Sequence, residues 1–338
     1  MKEVIECAYC DSVAKLHKEA KELIYRKEKF NVIQHFYKCE QCEEEFTNNE
    51  VDALTLAQAH NQYRERHSIP FPHEISELKN KYGLSAAKIG EVLGLGSNSF
   101  TNYEKGEMPT NAIGKLLKTA ANPDIFLVWL EDSKAIFKQK VYEDLISKIE
   151  LLAKKENELN PYYCDLDKYD SPSVYNGFRT TSTEKLSNVI VAFIKECDSS
   201  YNDKLKLNKL LFYLDFSHYR SYGYSITGTS YRAIQYGPVP SKYDNIYSFL
   251  ENENVITPKF IRDEKNAARE VFETSCNFDE ALFDEQELAT LKDIIEKFKS
   301  TPTWDIVDLS HEENAWKDLN RNKELISYQD YAFNLKTV

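Results

Sequence analysis

Two Cys-x-x-Cys pairs, Cys7 with Cys10 and Cys39 with Cys42, constrain the N-terminal part of this chain more than any other feature. A spacer of 28 residues lets two turns bring the four thiols to one tetrahedral ion. Four thiolates leave no open coordination position for a substrate, so the spacing predicts a closed structural site with one Zn²⁺ per chain. A redox role for one pair is the alternative, but it requires a strand-to-helix turn of a parallel sheet, which the flanking sequence does not show.

The segment between the two cysteine pairs has the pattern of a short β ribbon. Residues 23–25 and 30–37 are rich in strand formers, and such a ribbon is too small to be stable alone, so we expect the metal to supply its folding energy. His17 and His35 are the competing ligands, and we expect them to be ordinary strand or surface residues because four cysteines already complete the shell.

Length and charge limit the class of protein. A chain of 338 residues with 42% hydrophobic residues is long enough for several domains. No stretch has the apolar length of a membrane span and the N-terminus is charged, which predicts a cytoplasmic protein with reduced cysteines and no membrane partner.

The net charge of −12 excludes a protein that binds nucleic acid over its whole surface. Residues 67–120 carry six basic and five acidic residues, whereas residues 175–338 carry 20 and 26.

Residues 84–106 predict two short helices joined by a glycine turn. Ser85 is the expected N-cap of the first helix and Gly94 its C-terminal glycine, while Phe100 and Tyr103 form the buried side of the second. The outward side chains of the second helix suit contacts with base edges. The DNA-binding candidates are Ser97, Asn98, Thr101, Asn102 and Lys105. Any helical hairpin with a glycine turn shares this pattern, so the hairpin alone leaves DNA binding open.

Further helices flank this hairpin. Thr47 begins a capping box that predicts a helix over residues 48–66, prolines mark a linker at 67–72, and Thr110 caps a helix after the hairpin. Residues 123–154 keep helical spacing and predict one long amphipathic helix, serving as a connecting arm or a dimerisation helix. A break near Asp132 and Ser133 is the alternative. Residues 160–182 are rich in turn formers and predict a linker, in which Cys164 is expected to be inert.

The C-terminal part predicts a second, mixed body. Helices are expected over 183–197, 204–222, 285–299 and 303–319, with strand and turn at 225–240 and a hairpin formed by 255–262 and 270–275. The second helix is apolar nearly all round, so we expect it in the centre of its domain. The predicted fold class is therefore mainly α and multi-domain: a small zinc-bound β ribbon, a five-helix helix-turn-helix bundle, and a mainly helical α+β C-terminal domain.

Two kinds of site are conceivable in the C-terminal part. Asp215, His218 and His311 could form a metal or acid-base cluster if they met, although no HExxH pattern or phosphate loop accompanies them. The tyrosines of this part and Trp316 are expected to build both the core beside the Gly-Pro-Val-Pro at 237–240 and a partner-facing rim, because tyrosine and tryptophan are typical interface anchors. The candidate partner-binding residues are Tyr219, Tyr231, Tyr236, Pro238 and Trp316.

Residues 4–130 resemble the MqsA antitoxins, which join a Cys-x-x-Cys zinc module, a helix and a helix-turn-helix. The matching residues of the hairpin are Gly94, Gly96, Asn98, Phe100, Tyr103, Glu104, Lys105 and Gly106. In that family an asparagine and an arginine four residues later read DNA bases. Asn98 keeps the first position, whereas Asn102 replaces the arginine, so the resemblance implies a different operator sequence.

Residues 183–338 resemble the Panacea domain of SocA-like antitoxins. The resemblance is carried by residues 206–213 (KLNKLLFY), His218 and Tyr219, Gly223, residues 237–240 (GPVP) and residues 308–316 (DLSHEENAW). It implies toxin neutralisation and supplies no catalytic residues.

The sequence thus predicts a zinc module at 1–66, a DNA-binding domain at 67–122, a helix and linker at 123–182, and a toxin-neutralising domain at 183–338. We expect a non-enzymatic antitoxin that binds a cognate protein toxin through its C-terminal domain, forms a homodimer and represses its own operon on operator DNA. A stand-alone transcriptional regulator, with the C-terminal domain as sensor or oligomerisation module, is the alternative. The acidic C-terminal part suits a basic partner.

Overall fold

A computed structural model describes residues 1–96, 98–158, 171–262 and 268–338, without the side chains of 156–158. Ser97 and Cys164 lie outside the described residues, as do residues 160–170 of the predicted linker. The contacts divide the chain into two compact units, one made of residues 1–59 and 166–338, the other of residues 60–165. Most of the secondary structure in the described residues is α-helical, with a small sheet at the N-terminus. The predicted mainly α, multi-domain class is therefore confirmed.

The N-terminal ribbon is a four-stranded antiparallel sheet in chain order. Its strands are β1 (Val4–Glu6), β2 (Val13–Tyr25), β3 (Glu28–Cys39) and β4 (Glu45–Phe46). The two long strands pair from Ala14 with Cys39 to Tyr25 with Glu28, and the connecting Arg26 and Lys27 both have positive φ. This two-residue turn matches the right-handed twist of the strands. The ribbon is confirmed and is longer than the sequence predicted.

Helix α1 (Asn49–His67) follows the ribbon, beginning where Asn48 accepts hydrogen bonds from the N–H groups of Glu50 and Val51. The buried side chain of Gln58 makes the pair of hydrogen bonds to β3 that a neighbouring strand would otherwise make. The Ile33 N–H donates to Gln58 Oε1 at 2.8 Å, and Gln58 Nε2 donates to the Ile33 carbonyl at 2.9 Å. One primary amide therefore satisfies both backbone groups of a residue that β4 does not reach.

The same amide joins the ribbon to the C-terminal part of its unit. Gln329 Nε2 donates to Gln58 Oε1 at 2.8 Å, and Tyr219 OH donates to Gln329 Oε1 at 2.8 Å. The His35 ring lies 5.5 Å from the Phe333 ring, and Lys18 donates to the Phe333 carbonyl. The ribbon is thus packed onto the C-terminal half.

The C-terminal part is built around α9 (Lys204–Tyr222), which is buried over 14 consecutive residues, 206–219. Around it lie α8 (Thr183–Glu196), α10 (Tyr243–Asn252), α11 (Glu285–Phe298), α12 (Thr303–Glu312), α13 (Asn314–Leu319) and α14 (Tyr328–Tyr331). Two hairpins complete it, β5 (Tyr231–Ile234) with β6 (Gly237–Pro240) and β7 (Thr257–Arg262) with β8 (Ala268–Glu273). One detail differs from the prediction, since residues 303–319 form two helices. Within the expected strand and turn at 225–240, residues 237–240 are a paired strand and the turn comes before them.

The other unit is a helical bundle. After the C-terminal end of α1 come α2 (Pro72–Tyr82), α3 (Ala86–Val92), α4 (Ser99–Glu104), α5 (Asn111–Ala120), α6 (Pro123–Asp132) and α7 (Gln139–Glu158). The predicted single helix over 123–154 is wrong, and the alternative break is confirmed: α6 ends at Asp132 and a short 3-10 turn separates it from α7. Leu145 and Ile149 of α7 are buried in the same core as Tyr82 and Phe126, so apolar burial folds the two helices together.

No helix among the described residues is long and apolar enough to cross a membrane.

Replacement of Gln58 by methionine tests the amide bridge. The Ile33 backbone groups and the Gln329 amide would lose a buried partner, which costs about 1–3 kcal/mol, so we expect the free energy of unfolding to fall by that amount. Urea denaturation followed by circular dichroism measures it. Gln139→Met, at an exposed site on α7, is the control and should change stability by less than about 0.5 kcal/mol. Equal stability of the two variants would contradict the bridge.

Candidate metal centre, DNA-contacting helix and partner surface

The four predicted cysteines come together at one end of the ribbon. Their sulfur atoms all lie within 4.8 Å of one another, with 3.7 Å between Cys7 Sγ and Cys42 Sγ and 3.5 Å between Cys10 Sγ and Cys39 Sγ. A tetrahedron with metal–sulfur bonds of about 2.3 Å has edges of about 3.8 Å, so the spacing fits a bound ion. Among the described residues this is the one group of Cys, His, Asp and Glu side chains placed to hold a metal.

The backbone of each Cys-x-x-Cys turn supports thiolates. The N–H groups of Gln41 and Cys42 donate to Cys39 Sγ, and that of Tyr9 donates to Cys7 Sγ. Hydrogen bonding by the Cys42 N–H is the main cause that lowers the pKa of the Cys39 thiol to about 6. Asp11 and Glu43, each directly after a pair, have φ of 57° and 60°, so both turns reverse through a left-handed residue.

The predicted hairpin of the second unit forms α3 and α4. Ser85 Oγ accepts from the Lys88 N–H, and Gly94 has a φ of 66°, as expected for the N-cap and the C-terminal glycine. On α4, Phe100 and Tyr103 are buried, as predicted.

The remaining DNA-binding candidates occupy the outer side of this hairpin. Asn98 lies at the N-cap of α4 and is exposed, as are Asn102 and Lys105, while Thr101 is half-buried. Ser97 is outside the described residues. The four described candidates therefore leave side-chain atoms accessible to a ligand at the start and outer side of the second helix.

Partly buried polar contacts fix α4 in its unit. Glu104 accepts from Ser76 Oγ at 2.8 Å and pairs with Lys79, which attaches α4 to α2. The buried Arg64 donates to the Gly106 carbonyl at 2.9 Å, at the turn that follows α4. A rigid second helix is what base reading requires, because each contact depends on the helix orientation.

Asp215, one member of the conceivable catalytic cluster, has a structural role. It is fully buried and accepts from the Ile226 N–H at 2.9 Å, the Thr227 N–H at 2.9 Å and the Tyr231 hydroxyl at 2.8 Å. The Thr227 hydroxyl is a fourth donor. Burial raises the pKa of the Asp215 carboxyl, and the four donors hold the loop before β5 against α9.

The two histidines of that cluster have other partners. His218 Nδ1 lies 3.0 Å from Thr290 Oγ1, and burial lowers the pKa of His218 to about 3. His311 stacks on Trp316 with 3.8 Å between ring centroids. The described contacts therefore give each of Asp215, His218 and His311 its own structural partner.

A buried lysine holds the Gly-Pro-Val-Pro strand, β6, against α9. Lys209 of α9 donates to the Pro238 carbonyl at 3.0 Å, and burial lowers its pKa to about 7. Gly237 has a φ of 96°, and a Cβ there would lie 2.6 Å from Lys209 Cε and collide with Ser310 Oγ. Only glycine fits this position, because any side chain would collide with Lys209 and Ser310. Residues 237–240 therefore pack directly against residues 206–213 of α9.

The structure corrects the predicted partner rim. Tyr219 and Tyr231 are 0% exposed and Pro238 is buried, so these three belong to the core and offer no side-chain surface to a partner. Trp316 is half-buried and donates to the Ile234 carbonyl at 2.7 Å. Tyr236 is 44% exposed and remains a candidate. The sequence could not separate them because each aromatic ring suits either a core or an interface.

Two residues with structural roles and one exposed aromatic ring were not predicted from the sequence. Gln58 and Arg64 sit on α1 and make tertiary contacts that no local pattern signals. Trp304 on α12 is 58% exposed. The helical pattern of α12 predicts this exposure. Ile306 and Val307 form the apolar, buried side, which places Trp304 on the other side of the helix with the acidic residues.

Comparison with protein families gives two matches. Residues 5–126 match the model of MqsA, the antitoxin component of a bacterial toxin-antitoxin system. Residues 207–317 match the model of the antitoxin SocA-like Panacea domain. The two resemblances inferred from the sequence, and their order along the chain, are confirmed. No curated protein matches the chain.

Replacement of one cysteine tests the metal centre. Cys39→Ser removes a ligand and two N–H···S hydrogen bonds, so we expect metal bound per chain to fall from about one to near zero and the ribbon to unfold locally. Elemental analysis of the purified chain and hydrogen exchange of β2 and β3 report the two effects. Cys276→Ser, at a cysteine outside the cluster, should leave both unchanged. Metal-free wild-type protein with reduced thiols would contradict the assignment.

Proposed function

We propose that this chain is a bifunctional antitoxin: its C-terminal half binds and neutralises a cognate protein toxin, and its helix-turn-helix represses its own operon. The observation that carries this proposal is the presence of two antitoxin family matches in one chain. Neutralisation requires binding and no chemistry, in keeping with the structural roles of Asp215, His218 and His311.

The metal in this proposal is Zn²⁺ with a structural role. Tetrahedral sites of four thiolates are typical of zinc and leave no position for substrate or water. The four cysteines hold the ends of β1, β3 and their turns, so the ion would stabilise the same ribbon that packs onto the C-terminal half. The metal would act on folding and not on a reaction.

DNA binding is supported by the exposed start of α4. Asn98 is placed like the first residues of a recognition helix, and an asparagine amide pairs well with adenine. Asn102 occupies the position where MqsA antitoxins carry an arginine, which favours adenine over guanine there as well. Six basic against five acidic residues over 67–120 give weak phosphate attraction, so one copy would bind weakly.

A homodimer would compensate for this weakness by contacting two half-sites. The bundle unit has apolar side chains available for such a contact: on α6, Val128 is 56% and Ile125 38% exposed, three residues apart on one side of the helix. A symmetric contact of this kind would bring two α4 helices to one operator.

The Asn98→Ala variant tests base reading. Loss of one bidentate asparagine contact costs about 1–3 kcal/mol, so we expect affinity for the promoter of its own operon to fall about tenfold or more. Fluorescence anisotropy with labelled promoter DNA measures it, with Asn252→Ala on α10 as the control. Unchanged affinity would remove Asn98 from base reading.

Sedimentation of the same proteins measures the proposed dimer. Val128→Glu should give monomers and reduce promoter affinity, whereas a wild-type chain that is monomeric both free and on DNA would contradict dimerisation.

Toxin neutralisation is tested by co-expression with the product of the neighbouring gene. We expect that product to stop growth alone, and the full chain to restore growth and co-purify with it. The Asn98→Ala chain, expressed from an unrelated promoter, should rescue equally well because neutralisation does not use DNA contacts. A soluble chain that neither rescues growth nor co-purifies would contradict the antitoxin role and favour a stand-alone regulator.

A further inference from the structure

The outer side of α12 is an unusual surface. It presents Trp304, Asp305, Asp308 and Leu309, and Tyr236 lies beside it; these five residues are called the α12 surface below. We propose that the α12 surface is the docking site for the cognate toxin, through a basic patch on the toxin flanked by an apolar side chain. This inference rests on the proposed antitoxin function and assigns a place to its partner contact.

The two aromatic rings of this surface are poorly explained by folding alone. Trp304 is 58% exposed and Tyr236 is 44% exposed, and their ring centroids lie 6.1 Å apart in an edge-to-face arrangement. The buried side of α12 is formed by Ile306 and Val307 instead. A preorganised pair of large exposed rings is the type of anchor that carries most of the binding energy in protein interfaces.

The charge of the surface selects the partner. Asp305 and Asp308 are exposed next to the rings, and neither forms a salt bridge in the described part of the chain. Glu312, one turn beyond Asp308, is already paired with Lys317 at 2.6 Å. Two unneutralised carboxylates beside apolar anchors complement lysine or arginine on a partner.

A cavity of about 820 Å³ adjoins Trp304 and can receive a protruding side chain. Its walls come from the segment before α9, the β7–β8 hairpin and the start of α12. Arg269 pairs with Asp203 and bonds to Thr303, and its guanidinium lies 5.6 Å from the centre of the Tyr201 ring. These contacts hold the walls in place before a ligand arrives, which lowers the entropy cost of binding.

Other occupants fit the surface less well. Nucleic acid and anionic lipid would meet the two free carboxylates with like charge. A second copy in a two-fold contact would bring the same acidic surface against itself. The surface also lies entirely within residues 207–317, the stretch that matches an antitoxin domain. A basic protein is the occupant that these features favour together.

The experiment measures affinity of the full-length chain for the purified product of the neighbouring gene. Trp304→Ala should raise the Kd at least tenfold, because truncation of a central anchor typically has such an effect. The double variant Asp305→Lys with Asp308→Lys should also raise the Kd at least tenfold and reduce the dependence of the association rate on salt. All changes are at exposed positions, and thermal unfolding verifies that each variant is folded.

Two controls match these changes outside the α12 surface. Tyr175→Ala removes a ring that is 43% exposed, and Asp293→Lys reverses an exposed charge on α11. Both should bind within about twofold of the wild type.

The outcomes separate this inference from the function on which it rests. A wild-type chain that binds while all variants bind equally well would overturn the α12 surface and leave the antitoxin role intact. A wild-type chain that neither binds nor neutralises would overturn both. Variants that keep toxin affinity but dissociate a dimer of this chain would assign the surface to a second copy and contradict the toxin as its occupant.

Discussion

The side-chain amide of Gln58 is the contact on which the arrangement of the first unit depends. It completes the hydrogen bonding of Ile33 on the ribbon and continues through Gln329 to Tyr219 on the central helix. The side chains of Gln58, Gln329 and Tyr219 are buried, so a hydrogen bond left unmade among them would cost more than one at a solvated site. The ribbon is therefore part of the C-terminal half in packing terms, although 315 positions along the chain separate Lys18 from the Phe333 that it contacts.

Buried polar groups play a similar part in the C-terminal half. Asp215, which resembles a catalytic group in the sequence, holds the loop before β5, and the buried Lys209 holds β6, so both serve the fold. Two of the three predicted interface tyrosines, Tyr219 and Tyr231, are buried in the same core. The acidic side of α12 with the Trp304 ring is exposed, so the proposed toxin contact moves from the residues around β5 and β6 to this neighbouring helix.

Much of the local structure could be predicted because its causes are local. The cysteine spacing, the capping residues Ser85 and Thr110, and the periodicity of Phe100 and Tyr103 act within a few residues, and the structure places all of them as expected. The sequence alone does not decide the break after Asp132, because residues 123–154 keep helical spacing on both sides of it. Only the shared core with Tyr82 decides that α6 and α7 fold back.

The sequence by itself determined the four-thiolate centre, the helix-turn-helix and the antitoxin resemblances of both halves, since these rest on residue type and short spacing. The tertiary structure decided that the ribbon packs with residues 166–338, that Tyr219, Tyr231 and Pro238 are core residues, and that Trp304 is exposed. The physical reason is that burial depends on which distant elements meet. The residue type of an aromatic or amide side chain is the same whether that side chain faces a partner, a core or solvent.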